Sequence, residues 1–134
     1  MKKGYSENIE RLTLKNESFR HVLYTAKHCQ LVLMSLRSGE EIGLEVHETG
    51  DQFFRFEKGE GKVIIDETEY LVGNGDCVIV PAGARHNVIN TSSSDFLKLY
   101  TVYAPPHHQD AIVRKTREDA KTNSPEFDGN TTEQ

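Results

Sequence analysis

The sequence predicts an all-β domain, a sandwich or barrel built from short strands. Three observations lead there. Between Ser38 and Asp95 turn-forming residues recur about every seven to eleven positions, the spacing of a sandwich or barrel. The segments between the turns are short and rich in β-branched and aromatic residues, which suit a pleated, half-buried surface. No helical period of useful length interrupts them, which argues against βαβ units. No internal repeat is present.

Taken in order, residues 1–18 are polar and weakly patterned, with Ile9, Leu12 and Leu14 placed for a short strand or an arm across the barrel. Residues 19–25 have strand composition. Residues 29–36 (CQLVLMSL) form a stronger strand, ended by Arg37-Ser38-Gly39-Glu40. Ile42, Leu44 and Val46 then alternate with Gly43, Glu45 and His47, a period-two strand with two chemically different faces. Further strands are expected over 52–57, 62–65, 69–72, 77–80, 85–90 and 96–103, separated by turns such as Gly59-Glu60-Gly61 and Pro81-Ala82-Gly83-Ala84. In the latter, Pro fixes φ and Gly is free to take φ > 0. After Pro105-Pro106-His107-His108 the pattern stops. Thr116 is placed to cap a short helix over 117–121, with Asp119 three positions on. One domain is expected over residues 1–121, with its core motifs at 39–90. Residues 122–134, polar and containing Gly and Pro, are expected to form a disordered tail.

Bulk properties narrow the function classes. At 134 residues the chain suits one domain with a core of its own. A hydrophobic content of 36% and a mean hydropathy of −0.60 are low, in keeping with solvated segments. The net charge is −5 and no Lys/Arg face is clustered, so nucleic acid and anionic membranes are poor partners. The basic start, Met1-Lys2-Lys3, has no apolar run behind it and does not read as a secretory signal. No stretch approaches the ~18 apolar residues of a membrane span. Cys29 and Cys77 are too few for a disulfide scaffold, so a reducing, cytoplasmic setting is expected, with one disulfide left open.

Two spaced patterns carry the chemistry. Gly75, five residues, Pro81, one residue, Gly83, two residues, His86, three residues and Asn90 form the first. Gly39, five residues, Glu45-Val46-His47, four residues, Gln52, six residues and Gly59 form the second. The first resembles the second cupin motif at every fixed position. The other resembles the first cupin motif in spacing, with Glu45 where the family usually has His and Gln52 where it usually has Glu. The resemblance spans roughly residues 31–106 and implies a double-stranded β-helix, a jelly-roll barrel with a metal inside its mouth. By position the implied ligands are Glu45, His47, Gln52 and His86, holding one divalent transition metal per chain: Fe, Mn, Zn, Ni or Co.

The residues agree with that reading. Glu45 and His47 lie two apart and share a strand face. Two imidazoles and a carboxylate can hold Fe(II) with open positions, and Gln52 would add a weak amide oxygen. With only Glu45 charged, a divalent ion stays net positive and favours an anionic or chelating ligand or a bound water of lowered pKa. An alternative stays open: Ile42, Leu44 and Val46 could be the core face, leaving Glu45 and His47 in solvent. Phe54 and Phe56 share parity with Gln52 and should face the interior. Asn90 is expected to be structural, and Arg85 to face away from the metal. Lys98, Tyr100 and Tyr103 are possible general acids. His107 and His108 either fold over the mouth or lie exposed. No Arg/Lys cluster is found on the metal-facing parity. Two functions are expected from these features. One is a metalloenzyme acting on a small polar or anionic metabolite, dioxygenase-like or, as in small cupins that resemble phosphomannose isomerases, sugar-isomerase-like. The other is a non-catalytic cupin that binds a small molecule or metal. A homodimer is expected, with Phe53 and Arg55 on the face opposite Gln52.

Overall fold

In the computed structural model, which describes residues 3–133, ten strands form two sheets. The six-stranded sheet runs in the order β10-β1-β2-β9-β4-β7 and the four-stranded sheet in the order β3-β8-β5-β6. The strands of the first are β1 (Arg20–Thr25), β2 (Gln30–Leu36), β4 (Asp51–Lys58), β7 (Cys77–Val80), β9 (Leu97–Ala104) and β10 (Val113–Arg114). Those of the second are β3 (Glu45–Val46), β5 (Gly61–Ile65), β6 (Thr68–Val72) and β8 (Arg85–Asn90). Every pairing is antiparallel.

Period-two alternation decides what each strand buries. In β4, Gln52, Phe54 and Phe56 point inward and are buried, as expected from their shared parity. Phe54 and Phe56 join Val32, Met34, Leu36, Leu97 and Leu99 from their own sheet and Val63, Val72 and Val88 from the other in one hydrophobic core. Full burial of side chains such as Phe54 and Phe56 contributes about 1.5–3 kcal/mol each. Gly59 is required where it stands: φ is +108°, and a Cβ there would lie 2.5 Å from the Phe96 carbonyl oxygen.

Four segments differ from the sequence expectation. Residues Ile9–Lys15 form a helix, α1, where a strand or arm is expected. Asn8 caps it by accepting from the Arg11 N–H at 2.9 Å, and seven residues are too few to display a helical period. The strand expected over 42–47 shrinks to β3, because Gly43 at φ +112° breaks the extended run. β10 adds a short edge strand beyond the last expected one. Residues 123–133, placed in a disordered tail by composition, lie against the body. The Phe127 N–H donates to the His107 carbonyl at 3.0 Å, the Gln109 N–H to the Pro125 carbonyl at 3.1 Å, and the Thr132 N–H to the Thr25 carbonyl at 2.9 Å. The helix after Thr116, α2 (Arg117–Thr122), starts as expected, with the Thr116 side chain accepting from the Asp119 N–H.

Candidate metal centre

The site lies at the end of the sandwich where β3, β4, β8 and β9 converge. Glu45 of β3 and His86 of β8 are directly paired across the four-stranded sheet, so their side chains leave on the same side. Leu44 and Val46 are exposed, at 61% and 39%, while Glu45 and His47 are half-buried. This settles the open parity question for residues 44–47: Glu45 and His47 face in and Leu44 and Val46 face out, while Ile42 packs against the core. Gln52 comes from the opposite sheet, beside Tyr103 in the β4–β9 register.

The four residues implied by the resemblance are partly brought together. Glu45 Oε2 lies 3.9 Å from His47 Nε2, and the His47 and His86 ring centroids are 5.3 Å apart. Gln52 Nε2 donates to Thr101 Oγ1 at 2.9 Å. His47 Nε2, Gln52 Oε1 and His86 Nε2 are all buried without a hydrogen-bond partner. Buried polar atoms normally have partners, and three unpartnered lone-pair atoms at one end of the sandwich fit a nearby cation. His86 Nδ1 lies 3.4 Å from the Ala84 carbonyl oxygen. A proton on Nδ1 there leaves Nε2 free to ligate.

A residue set aside as either lid or loop joins them. Donor atoms of Glu45, His47 and His107 all lie within 4.8 Å of one another, and the His47 and His107 rings are 4.4 Å apart, edge to face. His86 stands outside that mutually close trio. The loop carrying His107 is held from within by Gln30, fully buried at the start of β2. Gln30 Oε1 accepts from the N–H groups of His107 at 3.2 Å and His108 at 3.0 Å. Gln30 Nε2 donates to the His108 carbonyl at 2.7 Å and to Thr25 Oγ1 at 2.9 Å. His108, 4% exposed, places Nε2 3.2 Å from the Tyr103 hydroxyl. The one sequence signal for this arrangement is the His pair after Pro105-Pro106; nothing in the chain's periodicity marks Gln30.

Burial sets the protonation states. It lowers the pKa of His47, with Gln52 opposing, and of His86, with the Ala84 carbonyl and Glu45 opposing. It drives His107 down to about 4, helped by repulsion from His47 when that ring is protonated and from Arg20, and pushes His108 down as well. These imidazoles are therefore neutral at pH 7, the form that ligates a metal. Burial raises Glu45 against Arg20 and His86 and keeps Tyr103 a phenol. Of the three candidate acids only Tyr103 faces the site. Lys98 and Tyr100 occupy the opposite parity of β9: Lys98 Nζ donates to the Asn16 carbonyl at 2.6 Å, and the Tyr100 ring packs 6.3 Å from Phe53. Arg85 is exposed, as expected. Asn90 is structural, its Nδ2 lying 3.1, 3.0 and 2.8 Å from the carbonyls of Leu36, Arg37 and Asp95. A cleft of about 210 Å³ reaches the centre past His47, Asp51, Tyr103 and His107.

Two antiparallel sheets with a His/Glu cluster gathered at one end define a β-sandwich whose mouth has the donor types a metal would need. The sequence profile of the cupin domain matches residues 32–103, and the chain belongs to the cupin family. It is 46% identical over 124 residues to the uncharacterized protein YrkC of Bacillus subtilis strain 168, covering 88% of this chain and 66% of that protein. It is 43% identical over 107 residues to the uncharacterized protein L612 of Acanthamoeba polyphaga mimivirus, covering 78% of this chain and 67% of that one. The chain thus spans about two thirds of the length of these relatives. Among solved structures it is similar to BH2720 of Bacillus halodurans, at a TM-score of 0.87 and 38% identity over 90% of this chain and 96% of the other. An RmlC-like cupin of Shewanella frigidimarina, at a TM-score of 0.59 and 21% identity over 64% of this chain and 74% of that one, shares the fold. Among the described residues no helix is long and apolar enough to cross a membrane.

Proposed function

We propose that this cupin holds one divalent transition metal (Fe, Mn, Zn, Ni or Co) and acts on a small polar or anionic metabolite. The observation that carries the reading is the set of buried, unpartnered donors His47 Nε2, Gln52 Oε1 and His86 Nε2 beside the Glu45–His47–His107 trio. Glu45, His47 and His107 would form the close ligand set, with His86 and Gln52 adjoining. Nitrogen and oxygen donors without thiolate suit these metals. A bound metal would supply Lewis-acid or redox chemistry to a ligand in the cleft. The chain's own residues do the rest. Phe54, 6.1 Å from His86 by ring centroids, keeps water from the inner side of the centre. Tyr103, held between His47 and His108, is the proton donor within reach. Both the oxidative and the isomerising branch use that donor. An isomerase also needs an anchor for its anionic substrate.

Elemental analysis of protein purified without chelator tests the reading. About one ion per chain is expected, falling well below that in His47→Ala and His107→Ala. A wild-type preparation with far less than one ion per chain, under anaerobic handling, would leave a non-catalytic binding module. Oxygen uptake by iron-loaded protein against sugar isomerisation by zinc-loaded protein separates the two branches.

A homodimer belongs to the same proposal. Ile79 is 64% exposed and is paired with Phe53, on the outer face of the six-stranded sheet. Light scattering decides it, a monomeric mass removing it. A reducing, cytoplasmic setting is supported by two free, exposed thiols, Cys29 and Cys77.

A further inference from the structure

Arginine is charged at any pH a protein meets, and burying a lone charge costs several kcal/mol unless an opposite charge or hydrogen bonds offset it. Arg20, at the start of β1, is 6% exposed because it shares the inward parity of Val22. Its guanidinium lies against the Phe19 ring, 5.4 Å from the centroid. Its Nη1 donates to Ser124 Oγ at 3.3 Å, and its Nε is buried without a partner. Arg117, at the start of α2, also has a buried Nε without a partner and packs over Gly43, where a Cβ would stand 3.4 Å from its Nη2. Among the described residues the ion pairs are Glu45–His47, Arg55–Glu57 and Lys62–Glu69, so neither arginine has a carboxylate within 4.0 Å.

Both arginines line one cavity of about 220 Å³, and Glu45, His107 and Lys121 line it too. Glu45 and His107 also belong to the close trio of donor atoms. The cavity therefore borders the same centre as the cleft at Asp51, with His107 lining both. The sequence shows no cationic cluster on the metal-facing parity, because Arg20 is read there as one residue of an early strand and Arg117 as part of a helix outside the barrel. Folding brings both to the lining of one cavity.

We propose that Arg20 and Arg117 form an oxyanion subsite beside the centre, and that the protein's ligand is a small metabolite bearing a carboxylate or phosphate group. This rests on the metal-centre reading for the other end of the ligand. A guanidinium matches a carboxylate or phosphate in shape and offers two parallel donors. Two such groups, each with an unused N–H, suit one shared anion. Glu45 is the one carboxylate that lines this cavity; with it committed to a metal, the ligand's anion would face both arginines. The cavity is smaller than the ~300–1,000 Å³ of drug-sized pockets, which limits the ligand to a small metabolite.

Calorimetric titration of succinate and of inorganic phosphate tests the subsite, using the full chain both zinc-loaded and EDTA-treated. At least one of the two anions should bind the wild type, and the tighter of them identifies the preferred group. Binding should weaken at least ~10-fold in Arg20→Gln and in Arg117→Gln, with zinc content unchanged. Arg117 is half-buried, so R117Q carries the expectation even if R20Q does not fold. R20K, which keeps the charge and loses the fork, should fall between wild type and R20Q. The subsite is overturned if neither anion binds in either metal state, or if neither glutamine substitution that folds weakens binding. Arginine-dependent binding by a wild type that takes up no zinc would overturn the metal centre and leave the subsite standing. A full complement of zinc with no anion binding would do the reverse.

Discussion

Replacing Gln30 with Leu separates the loop-borne part of the centre from the strands that carry the rest. Leu is close in volume to Gln, so the cavity penalty is small. What is lost is the amide that accepts from the His107 and His108 N–H groups and donates to the His108 carbonyl and Thr25 hydroxyl. A buried polar group left unpaired costs about 1–3 kcal/mol. The two His108 groups bear most of that cost, since His108 is 4% exposed and His107 can turn to water. A loss of about 2–5 kcal/mol in unfolding free energy follows, read by urea denaturation with an unchanged m-value. His107 would no longer be held against His47, and metal affinity should fall about 10- to 100-fold, as for other residues that orient ligands. His107→Ala should lower affinity with a much smaller loss of stability. If Gln30→Leu unfolds within about 1 kcal/mol of wild type and keeps its metal affinity, then Gln30 does not hold this loop and the argument fails.

Three further outcomes are expected. In chelator-treated protein, His47, His86 and His107 have folded-state pKa values below their unfolded ones, His107 at about 4. The unfolded chain then binds more protons across roughly pH 4–6.5, so stability is complete above that window and is lost as pH falls through it. Glu45, raised by burial, works the other way as one group against four, because His108 is lowered as well. Melting temperature should drop on acidification, and less steeply in His107→Gln; parallel curves would contradict this. Asn90→Ala strips three carbonyls of their shared donor and should cost about 2–3 kcal/mol in chemical denaturation, without loss of metal from the folded fraction. Gly59→Ala forces a Cβ to within 2.5 Å of the Phe96 oxygen at φ +108°. It should destabilise by more than about 1 kcal/mol, and a melting curve equal to wild type would refute the clash.

How much of this was legible beforehand depends on the reach of each interaction along the chain. The hairpin carrying His86 could be read because its turn and both strands lie within sixteen residues, Gly75 to Asn90. The Phe54–Phe56 parity followed from the two-residue period alone. Alternation in residues 42–47 revealed two faces but could not say which was inward. That is decided by Glu45 pairing with His86, forty-one positions away. His107 was harder still, since its place is set by Gln30, seventy-seven positions back, and no period links them. α1 was missed because its decisive residue is the cap, Asn8, a single polar side chain in a polar stretch.

The centre is thus built from parts of different stiffness. Glu45, Gln52 and His86 sit on paired strands, where a one-residue slip would turn every side chain to the other face. Their positions are fixed by the same register that buries Phe54, Phe56 and Val88, so a change that moves them also damages the core. His107 is held without a strand register: by hydrogen bonds, from Gln30 on the inside and from the Phe127 N–H at its carbonyl on the outside, and by ring packing against His47, Tyr103 and His108. Opening such a loop would break these contacts but not the strand register of the sandwich, and local opening costs less than global unfolding. A ligand that entered by displacing this loop would leave the strand-borne residues in place. Because Arg20 is carried by β1 and Arg117 by the segment after this loop, an oxyanion held by both would tie the movable side of the mouth to the fixed one.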